Sequence, residues 1–462
     1  MAAGRFQEAI PVYQDLVRAL PNNPGLLMNL GLAQHMAGQD RQAVQQFEAV
    51  LKLDPNHLPA FLFLGAARLE LGEPARALPP LQKVVTAQPA NKEARQMLAD
   101  ALLATQRFEQ AAEQLRRLAQ LDPDNPKSWH GLGRCYEALS GRAFRQLEKI
   151  APESPHWLAL VAASRLHQRQ YSSAYFFYRE ALTKPPILRG LHTAVAEIYR
   201  HTGHADWAAI EEEKEKKLPP PDCRREKLEC DFRAARYQQV VAAASLQKTA
   251  PSYYWQSQAC NELARQAFAR LEQLPLSLEL HQLLAETHRS QGRHLESARE
   301  WKAALALSPG RRALEKELAA SLFLSRDYPA AQPLLEKLLA REPNSPELNH
   351  MLGDTLLSQQ QPEKALTYLQ RAVQSEPARL NAQASLARAY LQTGAAERAI
   401  PHLMTALSSD EDGSLHFQLA RAYQATGREN LAKDALEKYQ QLTKTARAQR
   451  RALEQQVQIT PP

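Results

Sequence analysis

The cysteines are the residues of this sequence with the widest chemical range, because thiolates bind metals, form disulfides and act as nucleophiles. Cys135 and Cys260 fall inside apolar helical segments, which predicts two small buried side chains. Cys223 and Cys230 would stand about 10.5 Å apart along a continuous helix, which is too far for a disulfide. If the preceding prolines hold Cys223 outside the helix, the two can bond, so the pair is a candidate disulfide. Metal binding is disfavoured because no C-x2-C spacing occurs.

Histidines and glycine-rich motifs give no catalytic candidate. His201 and His204 lie three residues apart in a predicted turn, where histidines are usually ordinary surface residues. Gly131 and Gly133 begin like a dinucleotide fingerprint, but they lie inside a predicted helix and no third glycine follows. The phosphate-binding loop, the nucleophile elbow and the zinc-protease motif do not occur. The sequence therefore predicts a protein that is not an enzyme, without catalytic, cofactor-binding or metal-binding residues.

The charge balance argues against nucleic acid as a partner. Lys and Arg number 57 and Asp and Glu 50, a formal net charge of +7, and the two signs are interspersed along most of the chain.

No apolar run reaches the 18 or so residues of a membrane helix. The first five residues lack the apolar core of a signal peptide. The chain as written is thus expected in the cytoplasm, and in the periplasm if a signal sequence is missing upstream of Met1.

The elements that would position any binding residues repeat with a period of 34 residues. Helix formers such as Ala, Leu, Gln and Glu dominate, which predicts an all-α protein. The same step links small residues, and another links prolines, in both halves of the chain. The small residues are Gly31, Gly65, Ala99 and Gly133, then Ala285, Ala319, Gly353 and Ala387; the prolines are Pro55, Pro89 and Pro123, then Pro309, Pro343 and Pro377. Such a phase is typical of stacked repeats.

One unit shows why each repeat should be a helical hairpin. Leu27 and Leu30 recur at helical spacing, and a glycine turn at Gly38 follows. A second apolar stripe that includes Phe47 ends before Pro55, because proline cannot continue a helix. Small residues on the facing sides let the two helices approach closely. One hairpin cannot bury both of its faces, so neighbouring hairpins must stack.

This pattern resembles the tetratricopeptide repeat family, whose signature W-x2-L-G-x2-Y is best matched by Trp129, Leu132, Gly133 and Tyr136. The resemblance covers essentially the whole chain, which is similar to bacterial members of the family with many repeats. It implies an all-α α-α superhelix, a solenoid of about 13 helical hairpins. Units are expected to begin near residues 24, 58, 92, 126, 155, 189, 222, 252, 278, 312, 346, 380 and 413.

Several segments depart from the repeat. The units at 126–154 and 252–277 are short, share a similar phrase around Phe144 and Phe268, and are expected to form abbreviated hairpins. The proline-rich segment 219–222 is predicted to be a joint between an N-terminal array, 1–218, and a C-terminal array, 223–442. An N-terminal half repeat precedes the first full unit. Residues 443–462 are expected to form a capping helix and tail.

The resemblance also implies a binding surface, because first helices of this family line a concave groove that holds a peptide or partner helix. The predicted groove is apolar at its start and basic with one aromatic at its end, which suits an amphipathic partner. Its candidate residues are Met28, Leu32, His35, Leu62, Ala66 and Leu69, followed by Arg388, Phe417 and Arg421. The asparagine ladder and the Lys/Asn carboxylate clamp of some members are not evident.

The sequence thus favours a protein-protein interaction scaffold without a cofactor, in the setting of envelope assembly or secretion if the chain is exported. One alternative is the regulatory repeat portion of a larger enzyme. Another is an RNA-binding α-solenoid of the pentatricopeptide kind, whose groove should be basic rather than apolar.

Overall fold

The computed structural model describes the backbone of residues 5–456 and 459–462, and the side chains of 5–443 and 459–462. Within these residues the regular structure is helical: 25 α-helices and one short 3-10 helix at Leu407–Ser409. The α-helices are α1 (Phe6–Ala19), α2 (Pro24–Met36), α3 (Asp40–Leu53), α4 (Leu58–Glu70), α5 (Pro74–Ala87), α6 (Lys92–Ala104), α7 (Phe108–Leu121), α8 (Pro126–Ile150), α9 (Pro155–His167), α10 (Tyr171–Leu182), α11 (Leu191–His201), α12 (Ala205–Lys216), α13 (Lys227–Arg233), α14 (Tyr237–Ser245), α15 (Ala250–Glu272), α16 (Leu278–Ser290), α17 (His294–Leu307), α18 (Arg312–Leu324), α19 (Tyr328–Arg341), α20 (Pro346–Ser358), α21 (Pro362–Ser375), α22 (Leu380–Gln392), α23 (Ala396–Ala406), α24 (Ser414–Ala425) and α25 (Glu429–Gln456).

These helices follow the predicted repeat. Each of the thirteen predicted units contains a first helix that begins within five residues of the expected position, and α1 occupies the predicted half repeat. Local chemistry sets the starts: the Asn23 side chain accepts hydrogen bonds from the backbone N–H groups of Gly25 and Leu26, and Pro24 occupies the first helical position. Gly38, with φ of 75°, ends the first hairpin's turn in a left-handed conformation.

A glycine on each of several first helices admits a large side chain from the second helix of the same hairpin. A Cβ built on Gly65 would lie 2.5 Å from Cγ of Leu81, and one built on Gly353 would lie 2.5 Å from Cγ of Leu369. Real Cβ atoms do not come so close, so these glycines fix the distance between the paired helices. The predicted reason for the small residues of the repeat is therefore confirmed.

The internal packing divides the chain into two compact units. Unit 1 comprises residues 1–161, 180–191 and 213–275, and unit 2 comprises 162–179, 192–212 and 276–462. The predicted joint at 219–222 has residues of unit 1 on both sides, and its role as a joint stays a prediction.

The short repeats at 126–154 and 252–277 do not form the expected abbreviated hairpins, because each contains a single continuous helix. In unit 1, α8 has 25 residues and α15 has 23, and the two pack against each other. The hydroxyl oxygens of Ser140 and Ser257 are 2.9 Å apart in this interface. A Cβ built on Gly133 would lie 2.4 Å from ring carbons of Phe268. Helix α15 thus supplies to α8 the large side chain that a second helix supplies elsewhere.

The sequence pattern that the two short repeats share, around Phe144 and Phe268, has a structural role. Ala143 and Leu147 of α8 are buried, as are Ala267 and Leu271 of α15. Neither helix is divided by a turn, although α8 contains Gly141, and each helix buries residues of its C-terminal half. The two similar segments therefore belong to two helices, α8 and α15, that pack against each other although they are far apart in the sequence.

A salt-bridge cluster in unit 1 fixes the proline-rich segment. The Arg189 guanidinium donates to the carbonyl oxygen of Pro219 at 2.7 Å, to a carboxylate oxygen of Glu226 at 3.1 Å and to one of Glu229 at 2.8 Å. The hydrogen bond from Arg189 lowers the pKa of the Glu226 carboxyl. The segment is therefore held by a charged side chain from the loop before α11.

The capping helix predicted within 443–462 is present as a continuation of the last repeat's second helix. Helix α25 runs without interruption from Glu429 to Gln456, so the second helix of the last repeat continues through the first part of the predicted cap at 443–462. Residues 457–458, and the side chains of 444–456, lie outside the described part, and the described tail resumes at Ile459.

Candidate functional site

The first helices α2 and α4 of unit 1 carry a strip of apolar side chains that their second helices leave partly uncovered. Met28 and Leu32 on α2, and Leu62 and Leu69 on α4, are half-buried. Ala66 is buried, so its side chain offers little surface to a ligand. We call these five residues the first-helix strip. Its exposed apolar atoms could cover the apolar face of a partner.

Aromatic contacts connect the two helices beneath this strip. The Phe63 ring of α4 lies 6.1 Å from the Phe47 ring and 6.3 Å from the His35 imidazole. His35 was predicted to face the groove, and its Nδ1 lies 2.5 Å from a carboxylate oxygen of Asp40. Asp40 and Phe63 thus hold this imidazole in one orientation, and its place in the groove stays a prediction.

Beyond the strip, the first-helix face of α6 becomes polar. The Gln96 side chain on α6 donates to a carboxylate oxygen of Asp100 at 2.9 Å. Gln96 and Asp100 thus follow the apolar residues of α2 and α4 with a polar pair on the next first helix.

The three candidate residues of the last repeats lie in unit 2, separately from the strip. Arg388 on α22 forms an ion pair with Asp354 on α20, and Asp354 also accepts from Ser385 at 2.9 Å. Phe417 on α24 is exposed, with its ring 5.2 Å from that of Tyr439, and Arg421 is exposed. Asp354 offsets part of the basic character that the sequence predicted for this region.

Two clefts provide other candidate surfaces. One, of about 580 Å³ in unit 1, is lined by residues of α5, α6 and α7, among them Gln82, Leu98 and Glu109. The other, of about 630 Å³ in unit 2, is lined by Leu166, Tyr178 and His201 among others. The His201 ring stacks on Tyr171 with centroids 5.2 Å apart. Aromatic residues of the central repeats thus form, in part, the wall of a cleft.

The cysteines take distinct environments. Cys135 and Cys260 are buried in unit 1, and burial raises the pKa of each thiol to about 12, which disfavours the reactive thiolate. Cys223 precedes α13, so the chain folds back and brings its Cα within 5.7 Å of that of Cys230. The structure joins these two cysteines in a disulfide, whose formation in the cell stays a proposal.

The described residues contain no cluster of three or more side chains of the metal-binding types arranged to hold an ion. A search of the same part of the chain for helices long and apolar enough to cross a bilayer finds none.

A hydroxyl pair in unit 2 was not predicted from the sequence. Tyr175 on α10 and Tyr199 on α11 have hydroxyl oxygens 3.2 Å apart, and both contact the backbone of Thr460. Tyr199 occupies the position of the signature tyrosine in its repeat, which predicts burial. No local pattern connects it with a residue 261 positions later.

Comparisons with known proteins agree with the repeat. A family model described as "Tetratricopeptide repeat" matches residues 1–67, 68–135, 322–377 and 356–418, and a second model of the same description matches 413–445. Together these ranges cover more than half of the chain. No curated protein matches the sequence.

Among solved structures, the chain is similar to "MamA 41-end from Desulfovibrio magneticus RS-1", with 22% identity, 36% of this chain and 96% of that one covered, and a TM-score of 0.33. It is similar to "YrrB: a TPR protein with an unusual peptide-binding site", with 20% identity, coverage of 36% and 86%, and a TM-score of 0.32. The "APC/C hetero-tetramer Cut9-Hcn1" matches 95% of this chain and 91% of its own, with 14% identity and a TM-score of 0.34. On the extent of the family-model matches, the chain belongs to the tetratricopeptide repeat family.

Proposed function

We propose that the protein is an interaction scaffold that binds a peptide or partner helix along the first-helix strip of unit 1. The observation that supports this proposal is the partial exposure of the apolar side chains of Met28 and Leu32 on α2 and of Leu62 and Leu69 on α4. Repeat arrays use such extended surfaces for binding, and this mode of binding requires no cofactor.

The chemistry of the strip indicates its ligand. Leucine and methionine side chains adapt to irregular apolar surfaces, and methionine is common where one surface accepts several partners. The polar pair Gln96–Asp100 on α6 marks one end of the apolar region. We therefore expect a ligand with one apolar face and a polar opposite face, as the sequence-based hypothesis has it.

Charged substitutions in the strip should weaken the binding of peptides that have been selected from a random library against the purified protein. Leu62→Asp and Leu32→Asp should each weaken such a peptide more than tenfold, because burying a leucine contributes about 1.5–3 kcal/mol and about 1.4 kcal/mol corresponds to a factor of ten. Isothermal titration calorimetry measures the change. Leu295→Asp on α17, at a side chain that is 48% exposed in unit 2, is the matched control. Equal losses in all three variants would contradict the proposal.

We further propose a setting in envelope assembly or secretion. Disulfides persist in oxidising compartments, and the Cys223–Cys230 bond is the feature of the structure that bears on this point. Protein isolated from its own cells under acid quench and alkylated in denaturant should then label only Cys135 and Cys260 before reduction, and all four cysteines after it. Labelling of all four without reduction would exclude the oxidised form and remove the support for this setting.

A further inference from the structure

Two buried tyrosine hydroxyls of unit 2 converge on one residue of the C-terminal tail. The carbonyl oxygen of Thr460 lies 2.7 Å from the hydroxyl of Tyr199 and 2.9 Å from that of Tyr175. The Thr460 hydroxyl lies 2.9 Å from the Tyr175 hydroxyl. Each phenol has one proton, so both can donate to the carbonyl while Thr460 donates its own hydroxyl proton to Tyr175. Thr460 thus accepts a hydrogen bond from each tyrosine hydroxyl and donates one to the Tyr175 hydroxyl.

The two tyrosines form a fixed site. Both are buried, although their hydroxyl groups reach the tail. The Trp207 ring of α12 contacts the Tyr199 ring edge-on at 5.5 Å, and the Arg179 guanidinium lies 5.9 Å from the centre of the Tyr175 ring. Burial raises the pKa of the Tyr199 hydroxyl, so this group stays protonated and able to donate. Rings held in this way present their donors at a set spacing.

The sequence of the tail suits such a site. Thr460 precedes Pro461, and a residue before proline is restricted to extended conformations. Pro461 and Pro462 have fixed φ angles and no N–H, so the segment loses little conformational entropy when it binds. Recognition of extended proline-rich segments by aromatic side chains is a common mode of peptide binding. The side chain of Ile459 is half-buried and adds an apolar contact.

We propose that Tyr175 and Tyr199 form a docking site for the chain's own Ile459–Pro462 segment, bound in cis. The bound tail is an intramolecular ligand, and extended peptides with a threonine followed by proline compete with it. Because this site lies in unit 2, it does not depend on the binding proposed for the strip in unit 1.

Fluorescence anisotropy with a labelled peptide of residues 456–462, Gln-Val-Gln-Ile-Thr-Pro-Pro, tests the proposal. The peptide should bind saturably to a variant that lacks residues 459–462. It should bind at least tenfold more weakly to the full chain, where the tethered segment competes at high effective concentration. In the tail-deleted chain, Tyr199→Phe should weaken the peptide about fivefold, since it removes one hydrogen bond to the carbonyl. Tyr175→Phe should weaken it at least as much, since it also removes the acceptor of the Thr460 hydroxyl.

Two control variants test whether the loss of binding is specific to this pair of hydroxyls. Tyr328→Phe removes a hydroxyl on α19 of the same unit and should leave binding unchanged, and Leu246→Asp, at a side chain in unit 1 that is 86% exposed, should do the same. Circular dichroism melts of the phenylalanine variants check that they fold. Failure of the peptide to bind the tail-deleted chain, or equal affinity for this chain and the full one, would overturn the proposal. Concentration-dependent dimerisation that requires the tail, seen by analytical ultracentrifugation, would show a second copy as the occupant and overturn docking in cis.

Discussion

Replacing Gly133 by alanine is expected to destabilise unit 1 by about 2–3 kcal/mol, whereas the same change at Gly141 of the same helix should stabilise it by up to about 1 kcal/mol. A Cβ on Gly133 would meet the Phe268 ring of α15 at 2.4 Å, so the two helices must move apart. A Cβ on Gly141 would approach only the far end of the Arg145 side chain, at 3.5 Å, and alanine favours the helix. Urea denaturation followed by circular dichroism measures both changes.

The location of the effect is as informative as its size. Hydrogen exchange in Gly133→Ala should rise in α15, which is far away in the sequence but packed against α8. Combining Gly133→Ala with Phe268→Ala should cost less than the sum of the two single changes, because the double variant has no ring for the new methyl group to meet. Additive effects, or faster exchange confined to α8, would show that the two helices do not pair.

Acidification from pH 7 to pH 5 is expected to destabilise unit 1 by about 2 kcal/mol for each of two histidines. Burial lowers the pKa of His130 and of His156 to about 4, whereas an unfolded histidine titrates near 6.5. Between these values the unfolded chain binds more protons than the folded one, so stability falls as the pH drops through 6.5 and the loss is complete near 4. Urea midpoints at several pH values give the slope.

His156→Phe isolates one of these contributions. Its ring packs edge-on against Tyr254 at 5.4 Å, and phenylalanine can keep that contact without a proton to bind. The variant should lose about 2 kcal/mol of the pH dependence between pH 7 and pH 5. An unchanged slope in His156→Phe would show that this imidazole is not a source of the acid sensitivity.

The repeat could be predicted from sequence because its signals are local. A glycine such as Gly65 and the leucine it contacts, Leu81, are sixteen residues apart, and the turn between them is encoded in the same short window. Helix starts and hairpin order therefore followed from the 34-residue period. The continuous helix α15 was also within reach, since it contains no glycine at which a turn could divide it. Helix α8 contains Ser140 and Gly141 near the place where other repeats turn, so its continuity did not follow from the sequence.

The partners of those helices could not be predicted in the same way. The period gives each helix a neighbour in sequence, whereas Gly133 contacts Phe268, and nothing in the spacing identifies that pair. The candidate groove residues had the same difficulty. Their phase placed them on first helices, but the ion pair of Arg388 with Asp354 and the contact of His35 with Asp40 depend on side-chain geometry.

The tyrosine pair shows the limit most clearly. The repeat signature predicts a buried ring at Tyr199, and the prolines predict an extended tail, but the hydrogen bonds to Thr460 join two segments that no periodic pattern relates. Such contacts follow from the complete arrangement of the unit rather than from any one repeat.

The most direct test of the proposed function is photo-crosslinking of a library-selected peptide to variants carrying benzoylphenylalanine at single positions of unit 1. Leu62 lies in the first-helix strip, and Gln82 lies on the second helix α5, where it lines the cleft formed with α6 and α7. We expect the peptide to crosslink from position 62 and to give no product from position 82. Crosslinking from position 82 without a product from position 62 would place the ligand on the second helices and contradict the proposed binding surface.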